Sequence, residues 1–152
     1  MPHIHEKYDF VVTVYIVFES KVLLVNHPRY NMWIPMGGHI ELDEDPEEAL
    51  FREIKEETDL EVEILSEKPE VKGSTTKFIY PPSYIDVHMA NSPHKHIALV
   101  YFARAKNGKF VLSGEHTDMR WLSSSELEDP SYKLSEEVKF YARRAIAQST
   151  RQ

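Results

Sequence analysis

Ten carboxylates fall within the twenty-four residues GGHIELDEDPEEALFREIKEETDL, numbered 37–60. Three of them, Glu53, Glu56 and Glu57, are spaced i, i+3, i+4, which places their side chains next to one another on a helix. Like charges at this spacing destabilise an isolated helix by roughly 0.2–0.5 kcal/mol per pair. One explanation is a solvated helix face. The other is a shared divalent cation, because Mg²⁺ and Mn²⁺ prefer hard oxygen ligands and would relieve the repulsion.

The residues around these glutamates predict the helix itself. Asp45 is a good N-cap, a proline follows at the first helical position, and Glu48 completes a capping-box pattern. We therefore expect a helix from about residue 46 to residue 58. Leu50 and Ile54 fall on its apolar side, and the three glutamates border that stripe rather than pointing directly away from it.

The letters on either side of the helix start form a longer pattern. From Gly38 the chain reads G-x5-E-x7-R-E-I-x-E-E-x-D-L. This pattern resembles the signature of the Nudix hydrolase family, G-x5-E-x7-R-E-U-x-E-E-x-G-U, in which U is a bulky aliphatic residue. The fixed letters that match in register are Gly38, Glu44, Arg52, Glu53, Glu56 and Glu57. Asp59 stands where the family usually has glycine, and Met36 precedes the double glycine where the family usually has proline.

The resemblance implies an activity and a cofactor. Nudix enzymes hydrolyse a nucleoside diphosphate linked to another group, and they use Mg²⁺ or Mn²⁺. The metal ligands that the resemblance implies are the Gly38 carbonyl, Glu53, Glu56 and Glu57. Arg52 would orient a glutamate by ion pairing, and Glu44 would stay near the metals or support the loop.

The family often adds an acidic residue from a late loop, as a base or a ligand. Glu115, six residues before Trp121, is our first choice for this residue and Asp118 is the second. An ordinary loop acid is the alternative for Glu115. The residue that accepts the proton of the attacking water is accordingly expected to be Glu53 or Glu115.

The resemblance favours a nucleoside triphosphate or a related nucleotide as substrate. ADP-ribose, a nucleotide sugar and a dinucleoside polyphosphate remain alternatives, because Thr75 and Tyr80 do not match the family's substrate markers cleanly. Isopentenyl-diphosphate isomerase shares the fold, but the chain has no cysteine, which argues against that activity. A non-catalytic nucleotide-binding module is a further alternative, and the intact run 52–57 argues against it.

Residues near the double glycine predict substrate contacts. Arg29 and His39 flank it and can reach phosphates, whereas Tyr30 or Trp33 can stack on a base. Loop packing is the alternative for both aromatic residues.

Two histidines, His94 and His96, precede a strand and their spacing points both to one face. A zinc site needs further ligands. None stands nearby in the sequence, so substrate or structural contacts are the stronger expectation.

The composition narrows the class of protein. The 152 residues fit one domain, spanning 1–152, and their net charge of −7 without a basic cluster disfavours a duplex nucleic acid as partner. The lack of cysteine removes disulfides and thiolate sites and suits a reducing cytoplasm. No apolar run approaches the ~20 residues that a membrane helix needs. The resemblance leaves a homodimer open, because family members are often dimers.

The remaining elements must position the acidic helix. A hairpin, a helix, further strands and a terminal helix predict an α/β fold, an α/β/α sandwich with a central mixed β-sheet. The terminal helix is expected to begin near the Ser135 cap. We expect a loop over 28–38, a short helix over 124–129, and strands over 8–19, 21–27, 39–42, 61–67, 74–80, 84–90, 96–105 and 119–123.

Overall fold

The computed structural model describes residues 6–91, 93–112 and 118–151, and within them eight strands form one mixed sheet between two helices. The predicted α/β/α sandwich is confirmed. The strands are β1 (Tyr8–Phe18), β2 (Lys21–His27), β3 (Met32–Ile34), β4 (Met36–His39), β5 (Val62–Ile64), β6 (Tyr84–Asn91), β7 (His94–Ala105) and β8 (Asp118–Ser123). The helices are α1 (Pro46–Thr58) and α2 (Glu136–Ser149), and short 3₁₀ turns span Glu126–Glu128 and Pro130–Tyr132.

Strand β1 lies at the centre of the sheet and organises it. It pairs in parallel with β7 along most of its length, from Tyr8 opposite Lys95 to Val17 opposite Arg104. Its other edge is shared, because β4 pairs antiparallel with its first half and β2 with its end. Strands β5 and β6 both pair antiparallel with β7. The double glycine of β4 is therefore held directly against the central strand.

The alternation of side chains along the strands gives the sheet two apolar faces. On β1, Val12, Val14 and Ile16 face α1, whereas Val11, Tyr15 and Val17 face α2. Helix α1 contributes Ala49, Leu50 and Ile54 to its face, and α2 contributes Val138, Ala142, Ala145 and Ile146 to the other. Burying a leucine or an isoleucine stabilises by roughly 1.5–3 kcal/mol. The packing of α1 therefore outweighs the repulsion among its glutamates.

Two sequence expectations near the double glycine are wrong. The segment 28–38 is not a continuous loop, because it contains β3 and most of β4, and the strand expected over 39–42 ends at His39. Glycine usually weakens a strand, but here it is needed for a close approach. A Cβ on Gly37 would lie 2.1 Å from the Val12 carbonyl oxygen of β1.

The expected strand over 74–80 is also wrong, since no strand is present there. Side chains from this region contact α1 and the residues that precede it. Lys77 Nζ lies 2.7 Å from Asp45 Oδ2, and the ring centroid of Tyr80 lies 6.4 Å from that of Phe51. These contacts with the helix take the place of strand pairing.

Candidate active site

The start of α1 is held by the predicted capping box. The Glu48 backbone N–H donates to Asp45 Oδ1 at 2.9 Å, and the Asp45 N–H donates to Glu48 Oε1 at 3.2 Å. Desolvation favours the protonated form of Asp45, but hydrogen bonds from Lys77 and from the Glu48 N–H outweigh it and lower the pKa of Asp45 to about 2. The first turn is therefore anchored to the segment around Lys77.

The conformation at the end of α1 accounts for Asp59, the residue that departs from the signature. Asp59 adopts the left-handed conformation, with φ 56° and ψ 23°, and its N–H donates to the carbonyls of Ile54 and Lys55. Glycine favours this C-cap position because it has no Cβ, and Asp tolerates it better than most residues. Asp59 thus closes the helix in the conformation expected of the usual glycine.

Gly38 and Glu53 approach each other more closely than any side chain at position 38 would allow. A Cβ on Gly38 would lie 2.1 Å from Glu53 Oε1 and 2.6 Å from Glu53 Cδ. The pairing of Gly38 with Val12 turns this position toward the α1 face of the sheet. The backbone of β4 and a carboxylate of α1 therefore form the two sides of one small polar space.

Arg52 donates hydrogen bonds to three carboxylates around this space. Its Nε and Nη2 donate to the two oxygens of Glu44 at 3.0 and 2.6 Å, and its Nη1 donates to Glu53 Oε1 at 2.9 Å and to Glu56 Oε2 at 3.3 Å. Nη2 also reaches the His39 carbonyl at 3.1 Å. The hydrogen bonds from Arg52 lower the pKa of Glu44, and those to Glu44 and Glu53 raise the pKa of Arg52. The Arg52 guanidinium thus connects β4, through the His39 carbonyl, to the glutamates of α1.

Burial differs among the glutamates of α1. Glu57 is 5% exposed, the Glu53 side chain is 13% exposed, and the Glu56 side chain is 61% exposed. The carboxylates of Glu44, Glu53, Glu56 and Glu57 and the guanidinium of Arg52 together carry three net formal negative charges. Oxygen donors with this excess charge, beside a backbone strand, fit a hard divalent cation.

A cleft of about 690 Å³ adjoins the double glycine, and much of its wall lies on the α2 side of the sheet. Its floor is apolar, with Val11, Ala98 and Val100, and its wall carries the Tyr141 hydroxyl, which donates to Asp86 Oδ2 at 2.6 Å. Burial, together with this bond to Asp86, raises the pKa of Tyr141. The cleft therefore combines an apolar surface with oriented polar groups, as small-molecule sites do.

Three histidines lie at one end of the cleft. The ring centroid of His96 is 5.1 Å from that of His39 and 5.3 Å from that of His88. Burial lowers the pKa of His96, and the neighbouring histidines add to the effect. The sequence did not single out His88 or the nearby Asp9. A signal was available, because both are ionisable residues within strands that are mostly apolar.

The structure separates the predicted substrate contacts. His39 lines the cleft, whereas Arg29 and Tyr30 are exposed in the turn between β2 and β3, where the Tyr30 ring stacks on His27. Trp33 is 6% exposed and packs edge-on against Tyr132 in the core. Its position corresponds to the packing alternative.

Of the two acidic residues predicted to act from a late loop, the structure describes only Asp118. Glu115 lies outside the described residues. Asp118 begins β8, and its Oδ2 accepts from Arg120 Nε at 3.1 Å and lies 3.0 Å from Arg120 Nη2.

Known proteins resemble this chain in sequence and in fold. A sequence model of the NUDIX domain matches residues 7–143. A crystal structure of a NUDIX-family hydrolase from Clostridium perfringens superposes with a TM-score of 0.83 at 31% identity, covering 91% of this chain and 96% of that one. A MutT-like protein from Streptomyces ambofaciens is 29% identical over 78% of this chain, and a CTP pyrophosphohydrolase from Escherichia coli strain K12 is 31% identical over 60% of it and 73% of its own length.

The chain therefore belongs to the Nudix hydrolase family, as its signature residues predicted. It spans 66% of the length of the Streptomyces protein, slightly less than two thirds. Within the described ranges, no helix is both long enough and apolar enough to cross a membrane.

Proposed function

We propose that the protein hydrolyses a phosphoanhydride bond in a nucleoside diphosphate linked to another group, with Mg²⁺ or Mn²⁺ as cofactor. The approach of Gly38 to the Glu53 carboxylate carries this proposal, because it brings a backbone strand and the acidic helix to one point. The proposed ligands are the Gly38 carbonyl and the carboxylates of Glu53, Glu56 and Glu57. Their excess negative charge requires a cation before an anionic phosphate chain can enter.

The residues around the cation are proposed to have different roles in hydrolysis. When bound, the ion neutralises phosphate charge and lowers the pKa of water. Glu53 is proposed to accept the proton of the attacking water, with Glu115 as the other candidate. Arg52 holds the Glu53 and Glu44 carboxylates in position, which supports a role in orienting the ligands.

The cleft supports a nucleotide as substrate. Its volume of about 690 Å³ falls within the range of small-molecule sites. The carboxylate of Glu137 lines it and is suited to accept hydrogen bonds from the N–H groups of a base. The similarity to a CTP pyrophosphohydrolase agrees with a nucleoside triphosphate.

Hydrolysis of a panel of nucleotides tests the proposal. Nucleoside triphosphates, ADP-ribose, nucleotide sugars and dinucleoside polyphosphates are incubated with and without Mg²⁺, and the products are separated by chromatography. We expect Mg²⁺-dependent cleavage that is strongest for a nucleoside triphosphate. A flat result across the panel would instead favour a nucleotide-binding module without activity.

Glutamine substitutions test the site. Glu53→Gln, Glu56→Gln and Glu57→Gln keep the shape of each side chain but remove a negative charge. We expect each to lower kcat by roughly 10²–10⁴-fold while circular dichroism stays unchanged. Glu61→Gln is the matched control, because Glu61 lies just beyond the helix and is exposed. Full activity in all three site variants would refute the assignment.

A further inference from the structure

Three strands bring Asp9, His39 and His96 together at one end of the sheet. Asp9 of β1 is the direct pairing partner of His96 in β7, and His39 of β4 pairs with Val11, two residues along β1. Partners across a sheet point to the same side, and so do residues two apart along a strand. All three side chains therefore extend from the face of the sheet that α2 covers farther along.

The distances between these side chains suit a metal ion. One ligand atom from each of Asp9, His39 and His96 lies within 4.8 Å of the other two, and His39 Nε2 is 3.8 Å from Asp9 Oδ2. Two ligands about 2.1 Å from a tetrahedral zinc ion lie about 3.4 Å apart. Small rotamer changes close the remaining gap, because Asp9 and His39 have half-exposed side chains. The strands fix the backbone, so folding brings the ligands together in advance.

We propose that Asp9, His39 and His96 form a binding site for a transition-metal ion of the zinc class. Imidazole nitrogens bind Zn²⁺, Ni²⁺ and Fe²⁺ well, whereas Mg²⁺ prefers oxygen ligands alone. Three protein ligands leave at least one coordination position for water or an anion. His39 and His96 also line the cleft, so this position is near whatever the cleft holds.

The site differs from the glutamate centre in place and in chemistry. Neighbouring residues of a strand point to opposite faces. Gly38 therefore faces Glu53 on the α1 side, while the His39 side chain faces the α2 side. The glutamate centre offers only oxygen and suits Mg²⁺, but the histidine site offers two nitrogens. The inference reassigns His39 from a direct substrate contact to a metal ligand.

Neighbouring side chains support the histidine site. The His88 ring packs edge-on against His96, and its Nδ1 lies 2.8 Å from Asp86 Oδ1. Asp86 therefore fixes the His88 ring, which in turn packs against the proposed ligand His96. His94 Nδ1 also lies 3.9 Å from Asp9 Oδ2, so a third histidine is close to the proposed ligand Asp9.

Calorimetric titration of the full chain with ZnCl₂ tests the inference. The buffer contains excess Mg²⁺, which competes with zinc for the proposed glutamate centre but not for a site with two imidazole ligands. We expect one equivalent of zinc to bind. We expect Asp9→Ala, His39→Ala and His96→Ala each to weaken this binding by more than about 100-fold, the upper end of the cost of losing an outer-shell partner. Because the readout is binding, it does not depend on hydrolysis.

Two controls separate this site from other histidines. His27→Ala removes a histidine at the C-terminal end of β2 that is not part of the Asp9, His39 and His96 cluster, and zinc binding is expected to remain. His3→Ala/His5→Ala removes an N-terminal pair outside the described residues, and binding is again expected to remain. The inference is overturned if the wild-type chain binds no zinc in excess Mg²⁺. It is also overturned if the N-terminal double variant loses binding while His39→Ala and His96→Ala retain it.

Discussion

A single added methyl group at Gly38 is expected to disable the proposed active site without unfolding the protein. In Gly38→Ala, the new Cβ would lie 2.1 Å from Glu53 Oε1 and 2.6 Å from Cδ. Backbone conformation is not the obstacle, because Gly38 lies in a strand and has no positive φ. The Glu53 carboxylate must therefore move.

The size of that movement follows from contact distances. Ordinary van der Waals contact begins at 3.4 Å, against 2.1 Å here, so Oε1 must retreat by about 1.3 Å. A misplacement of about 1 Å in a catalytic group costs on the order of 100-fold in rate, or about 2.7 kcal/mol of transition-state stabilisation. The atom that moves is the far end of a flexible side chain. The free energy of unfolding should therefore change by less than about 1 kcal/mol.

A double-variant cycle tests whether the effect passes through Glu53. Steady-state kcat with Mg²⁺ and the urea midpoint are measured for Gly38→Ala, for Glu53→Ala and for the two combined. Removing the carboxylate also removes the clash, so the combined variant should be no slower than Glu53→Ala alone. Wild-type kcat in Gly38→Ala, or a combined loss equal to the product of the single losses, would refute the reasoning.

Three further outcomes are expected. Arg52→Lys keeps the charge but loses the two-pronged contact with Glu44, so activity should fall roughly 10–100-fold and need more Mg²⁺; an unchanged Mg²⁺ dependence would contradict this role. The pKa of Asp45 is lowered to about 2 in the folded protein, so its capping contribution is complete above about pH 4 and is lost as the pH falls toward 2. Urea melts should therefore show Asp45→Ala less stable than wild type by about 1 kcal/mol at pH 7 and by less as the pH approaches 2, whereas Asp45→Asn keeps the cap at neutral pH. At the left-handed C-cap, Asp59→Gly should raise the free energy of unfolding by about 0.5 kcal/mol and Asp59→Ala should lower it by about 1 kcal/mol, so the reverse order would show that φ is not the controlling factor.

Local patterns were sufficient for the elements whose signals lie within a few residues. The boundaries of α1 and β2 were predicted correctly, because the cap at Asp45 and the turn at Glu19-Ser20 are encoded next to the elements that they limit. Prediction failed where contacts with a distant segment determine the backbone conformation. The pairing of Gly37 and Gly38 in β4 depends on β1, and the irregular segment around Lys77 contacts the N-cap Asp45 and Glu47 of α1. Neither partner is visible in the local sequence.

The sequence by itself determined the family and the clustering of carboxylates on the acidic helix, because a helical spacing is a local property and the signature lies within twenty-three residues. Only the tertiary structure decided that the Gly38 backbone faces Glu53 and that Arg52 joins them. It also decided that Asp9, His39 and His96 lie side by side, although they come from three strands. The physical reason is strand register. Strand pairing determines which distant residues become neighbours. The alternation of side chains along each strand determines the face of the sheet on which they meet.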